Sequence, residues 1–261
     1  FAGADEDAVA TLASLSISAP YEVYAYAYCA APTLGLSIAT IDINKATATV
    51  RGVYNGETLQ RYNADIGLRG GRNGGNGTIH VSGGNVNITV TGATGAEAII
   101  FGSEFTGAVV QVRNSTATAT MQIAQRANIG GTHLVMDSGG NVKVQSVVGS
   151  ESAPVLSNAR VGSSGGSVSL VEVETNKAYA YSRVNNIASI TGGGIRTAGA
   201  VEVIAFTSSK ANAESVGTFK ATLAAVGKLY AEAVACDSTV ANITGAVIYA
   251  SSVTVDAKGI T

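Results

Sequence analysis

The chain has 261 residues and a formal net charge of −2, and 13% of its residues are charged, against roughly 25% in ordinary soluble domains. A near-neutral chain has no basic field to attract nucleic acid or anionic lipid, and 46% hydrophobic residues make it too apolar for disorder. Its two cysteines, Cys29 and Cys236, are too few for a disulfide framework and lack metal-ligand spacing.

In chain order, Phe1 to Ala19 opens acidic at Asp5, Glu6 and Asp7. It then alternates through Val9, Thr11, Ala13, Leu15 and Ile17, which predicts strand. Tyr21 to Ile41 is the nearest approach to a membrane helix, but Glu22, Pro32 and alternating Tyr/Ala runs predict strands instead. With no Trp, 10 Tyr and 5 Phe, the chain also lacks the aromatic girdles of a membrane barrel. The run from Gly70 to Gly77 has neither the aspartates of a calcium roll nor the Gly-Lys-Ser/Thr of a phosphate loop, and predicts an insertion loop. Beyond it, Ile79-His80-Val81, Val86-Asn87-Ile88-Thr89-Val90, Val168-Ser169-Leu170 and Val171-Glu172-Val173 all have period 2. That period predicts strands with their apolar set on a core face. Glycine pairs between them mark turns. Lys210 to Val226 has helix-forming composition, but its position in the repeat predicts strand.

That repeat is the dominant feature. Val-x-Val starts recur at Val86, Val142, Val201 and Val253, with steps of 142 − 86 = 56, 201 − 142 = 59 and 253 − 201 = 52. Ala-x-Ala strands recur at Ala46, Ala117, Ala178 and Ala231, and units close at Ile129-Gly130, Ile190-Thr191-Gly192 and Ile243-Thr244-Gly245. Repeats of about 55 residues with short strands and no intervening helices predict stacked units sharing one core. The expected fold is all-β: an elongated, right-handed parallel β-helix, or β-solenoid. If each unit makes two coils, the chain makes about nine or ten, and a rod some 40–50 Å long. The expected organisation is an N-terminal strand segment, 1–20, that joins subunits, followed by repeats over 21–261 with units near 21–83, 84–139, 140–199, 200–252 and a partial unit 253–261.

The Gly-Gly-Asn-Val starts at Gly83 and Gly139, the Ala-x-Ala strands and the Ala-x-Ile closes resemble the repeat regions of large secreted bacterial surface proteins. These are the filamentous-haemagglutinin and leukotoxin-type repeat proteins and autotransporter passengers. The resemblance covers most of Tyr21 to Thr261. It implies a parallel β-helix exported to the cell surface and serving adhesion, biofilm or toxicity.

The residues supply little chemistry. His80 and His133 lie in alternating stretches, and no Gly-x-Ser-x-Gly elbow or Cys-His metal pattern occurs. Asp42, Asp65, Asp137, Asp237 and Asp256 are far apart in sequence. Asn76, Asn87, Asn114 and Asn242 fit the glycosylation triplet. The expectation is a structural extracellular protein without cofactor or catalytic site, a segment of a cell-surface fibre with adhesion as its use. Its partner would be itself, head to tail, along with glycans or proteins of host or neighbouring cells, and neither nucleic acid nor a membrane span. The alternatives are a passenger or stalk fragment that does not self-assemble, and a carbohydrate-active enzyme on the same scaffold. Core positions are expected at Val86, Ile88, Val142, Val144, Val201, Val203, Val253 and Val255, with a subunit interface at Val9, Leu15, Ile17, Val253 and Val255. Cys29 and Cys236 read as buried thiols or as a covalent link, including one between subunits.

Overall fold

The computed structural model describes residues 9–30, 35–50, 60–67, 77–102, 106–163, 166–217 and 219–261. Among them there is no helix, and every pairing between strands is parallel. The insertion loop near Gly70 and the acidic start lie outside the described residues.

The strands fall into three sheets that the chain visits in fixed order. Sheet A is short: β1 (Val9–Leu12), β5 (Thr78–Val81), β8 (His133–Met136), β12 (Gly194–Arg196) and β16 (Val247–Tyr249). Sheet B holds β2 (Leu15–Ala30), β6 (Val86–Gly102), β9 (Val142–Val148), β10 (Val155–Ser163), β13 (Ala200–Ser215) and β17 (Ser252–Ile260). Sheet C holds β3 (Gly35–Val50), β4 (Gln60–Gly67), β7 (Thr106–Gly130), β11 (Gly166–Thr191), β14 (Phe219–Ala235) and β15 (Ser238–Thr244). Strand β2 runs unbroken past residue 20, and β1 and β2 pair with β5 and β6 of their own chain.

Each repeat makes one circuit of the three sheets, not two. Leu15 pairs with Val86, Val86 with Val142, Val142 with Val201 and Val201 with Val253. Four circuits and the start of a fifth result, in place of nine or ten. The reason is strand length: β7 has 25 residues and β11 has 26, so one pass along sheet C uses nearly half a repeat. Four steps of about 4.8 Å give a stack about 20 Å tall, while 25 residues at about 3.3 Å trace about 80 Å of strand.

Sheets A and B together face sheet C, and the core between them has two parts. One is filled by branched side chains, with Val86, Ile88, Val142, Val144, Val201 and Val203 buried against Ile129, Leu134, Ile190 and Ile195. The other is lined largely by alanine: Ala46, Ala48, Ala117, Ala119, Ala178 and Ala180 of sheet C oppose Ala96, Ala98 and Ala159 of sheet B. Between the two runs a buried polar seam. Tyr21 donates to Gln125 Oε1 at 2.8 Å, and Gln125 donates to Ser146 Oγ at 2.8 Å and to Asn186 Oδ1 at 3.0 Å. Asn186 in turn donates to the Phe206 carbonyl at 2.7 Å and to the Ser146 carbonyl at 3.1 Å. These carbonyls lie where sheet B is broken between β9 and β10, so the amides satisfy backbone groups that would otherwise be orphaned in the core.

Sheet C reverses its alternation near its start. Leu170 and Val171 are consecutive and both exposed, and the pairing passes from Ser169 to Val171. Ser167 Oγ donates to Glu172 Oε2 at 2.5 Å, although five extended residues span about 16 Å, so the strand turns a corner there. Past the corner the expected burial of Val171-Glu172-Val173 is inverted: Glu172 and Glu174 are buried, and Val171 and Val173 face out. One extra residue at a bend swaps the faces of everything after it.

The glycine turns are dictated by stacking. A Cβ on Gly140 would lie 1.7 Å from the Gly84 carbonyl oxygen, and one on Gly193 would lie 2.2 Å from the Thr132 carbonyl oxygen at a φ of +71°. Beside them, asparagine side chains tie each turn to the next circuit: the Asn141 N–H donates to Asn85 Oδ1 and the Ala200 N–H to Asn141 Oδ1, both at 2.9 Å. Gly140→Ala should therefore lose about 3 kcal/mol by overpacking. Gly162→Ala, whose Cβ meets the Phe101 ring at an ordinary 3.8 Å, should change stability by under about 1 kcal/mol. Urea midpoints of the two variants check this, and equal midpoints would contradict the close stacking of these turns.

Candidate functional site: the two open strand edges

The register that builds the core also leaves it open at both ends of the stack. Two ladders run through it: Leu15, Val86, Val142, Val201 and Val253, and Ile17, Ile88, Val144, Val203 and Val255. The six central members are fully buried, whereas Val253 is 48% and Val255 47% exposed. Leu15 and Ile17, at the opposite end, are half-buried and pack against the same core. Sheet C repeats the arrangement, with Ala46, Ala117, Ala178 and Ala231 in one column and Ile66, Ile129, Ile190 and Ile243 in another. Each end therefore shows the apolar pattern that the other end stacks upon. The last circuit presents β14, β15, β16 and β17, of 17, 7, 3 and 9 residues, with an unpaired backbone edge. Such an edge is a template for another strand.

Of the expected interface residues, Leu15, Ile17, Val253 and Val255 thus share two columns. Val9 lies in sheet A, paired with Thr78. Both cysteines are free thiols. Cys29 lies in β2 near Asn44, and Cys236 follows β14 on sheet C, so translation along the stack does not superpose them.

The outer face of sheet C carries a second ordered surface. Thr47, Thr118, Tyr179 and Glu232 form one column, and Thr49, Thr120, Tyr181 and Val234 the next. The rings of Tyr179 and Tyr181 are parallel to within 7° at 6.3 Å, and Tyr230 leans on Tyr179 at 5.6 Å. Burial, aided by the Glu232 carboxyl and the neighbouring phenols, pushes the Tyr181 phenol above its ordinary value. Alternation alone did not single out this cluster, because its members come from different circuits.

The titratable groups examined for chemistry are dispersed. Asp42 faces Arg113 at 3.7 Å, Asp65 faces Arg126 at 3.1 Å, and Asp137 lies 3.6 Å from His80. Asp237 accepts the Val184 N–H at 2.9 Å and the Ser209 hydroxyl. Asp256 pairs in register with Ile204, and His133 pairs with Gly194 on sheet A. Among the described residues no three His, Cys, Asp or Glu side chains converge on one point, and no helix is long and apolar enough to cross a membrane. Glu172, Glu174 and Lys220, which sequence reading did not single out, do converge inside the corner of sheet C. Only the phase change at Leu170 and Val171 turns them inward, and period 2 hides it.

The chain matches no protein-family model, no curated protein and no solved structure. Its function is therefore argued from its own geometry.

A valine inside a ladder should matter more than the same valine at its end. Val201→Ala should cost about 2 kcal/mol through lost burial and a residual cavity, and Val253→Ala less than about 0.5 kcal/mol. Denaturant midpoints of the isolated chain check this, and equal losses would contradict the open edge.

Proposed function

We propose that the chain is a structural, extracellular β-solenoid segment that assembles end to end into a cell-surface fibre serving adhesion or cell–cell attachment. The reading rests on one observation: Leu15 and Ile17 at one end of the stack occupy the same columns as Val253 and Val255 at the other. A second copy docked by translation continues both ladders, satisfies the open backbone edge and covers the exposed valines. Such contact is heterologous and does not close, so it propagates as a filament. The right-handed sense follows from the strong preference of parallel strand connections for that hand.

The low charge and the Gly-Gly-Asn-Val starts, which resemble those of secreted bacterial adhesins, support an extracellular setting. The threonine and tyrosine columns of sheet C would then lie on the flank of the fibre, open to glycans or proteins of another surface. Tyrosine suits such contacts because it joins an apolar ring to a polar tip.

Negative-stain electron microscopy of the purified chain over a range of concentrations tests assembly. Fibres that shorten with Val253→Asp and Val255→Asp are expected. Discrete particles at every concentration would overturn self-assembly and favour the stalk or passenger reading, in which the open edge is met by other repeats.

A further inference from the structure

We propose that Lys220 and Asn176 form an intramolecular isopeptide bond that joins the third circuit to the fourth inside the corner of sheet C, with Glu174 as its acid–base catalyst. The inference is independent of end-to-end assembly.

Three groups meet there. Lys220 on β14 brings an amine: its Nζ lies 2.5 Å from Glu174 Oε2 and 3.6 Å from Glu172 Oε1. Asn176 on β11 brings a carboxamide, whose Nδ2 donates to Glu174 Oε1 at 2.8 Å. One carboxylate therefore holds the nucleophile on one oxygen and the prospective leaving group on the other. The amide is oriented independently by the Val216 carbonyl, 3.0 Å from Nδ2. A carbonyl accepts, so nitrogen and not oxygen faces it and Glu174.

The surroundings fit the reaction. Glu172, Glu174 and Asn176 are 0%, 3% and 4% exposed, and the Lys220 side chain 16%. Enclosure keeps water from competing, and fixed groups act at high effective concentration. Glu172 is held on one side by Ser167, while its Oε1 is buried, has no hydrogen-bond partner and faces Lys220 Nζ. A buried orphan acceptor in a native fold calls for an explanation, and service as the proton acceptor for the ammonium supplies one. Gly227, opposite Glu174 in the ladder, leaves the Lys220 head its space: a Cβ there would lie 3.9 Å from Nζ.

The step balances without a cofactor or oxidant. Lys220 gives one proton to Glu172, and the neutral amine attacks Asn176 Cγ to form the new C–N bond. Glu174 takes a second proton from the attacking nitrogen and delivers it to Nδ2. The Cγ–Nδ2 bond breaks, and ammonia leaves with the proton held by Glu172, as ammonium. One amide replaces another. The new bond would stiffen the stack much as a disulfide does, by restricting the unfolded chain.

Intact-mass measurement of the folded, full chain, followed by fragmentation of its peptides, tests the proposal. The expected mass is one ammonia below that of the sequence, with a branched peptide joining the Lys220 and Asn176 segments. Lys220→Arg and Glu174→Gln should each restore the full mass, with β-structure checked by circular dichroism. An unmodified mass after prolonged incubation at neutral pH would overturn the proposal. So would an ammonia loss that maps to Asn-Gly pairs such as Asn55-Gly56 and persists in Lys220→Arg.

Discussion

Every feature of this protein depends on parallel, in-register pairing of each circuit with the one before it. A backbone ladder fixes which residue lies over which, so a side chain's neighbours are its counterparts one repeat earlier and later. Valine then stacks on valine and alanine on alanine, as in the columns through Val142 and Ala117. Turns obey the same rule. Where Gly140 passes under the Gly84 carbonyl there is no room for a side chain, while Asn85 and Asn141 each reach one circuit onward to hold a backbone N–H.

The same constraint explains how charge is tolerated inside the corner of sheet C. Asp42, Arg113 and Glu174 occupy one column, so opposite signs alternate along the stack, and Lys220 closes the series against Glu174. Such a column penalises slippage, because a shift of one residue would set aliphatic side chains against buried charge. Outside, the corner shows Ile41, Val110, Val171 and Leu223 to solvent. The corner is therefore inverted relative to the rest of the molecule, where branched and small side chains face in.

The ladder starts were legible in the sequence because Val-x-Val after a small residue survives in four repeats, and the alanine strands were legible for the same reason. Circuit size was not. A repeat length says how often a pattern returns, not how many strands lie between returns, and strands as long as β7 and β11 lie far outside the usual 3–10 residues. The first circuit was also obscured: Leu15 lies 86 − 15 = 71 residues before Val86, more than any later step, so its copy of the start was not counted. The inward glutamates were missed for a physical reason. Alternation identifies two faces but not which is inside, and the bend at Leu170 exchanges them without changing the pattern. The polar seam of Gln125 and Asn186 was equally hidden, since its need arises from a break in the opposite sheet.

Register is the claim most directly open to test. In a chain with Cys29 and Cys236 replaced by serine, cysteines at Lys143 and Glu202 occupy paired positions on the outer face of sheet B, within about the 4.4–6.8 Å Cα separation a disulfide allows. Cysteines at Lys143 and Ile204 are offset by two residues and fall outside that range. Mild oxidation followed by mass analysis under non-reducing conditions should show cross-linking in the first pair and not in the second. Cross-linking of the offset pair, with none in the aligned pair, would contradict the stacked register.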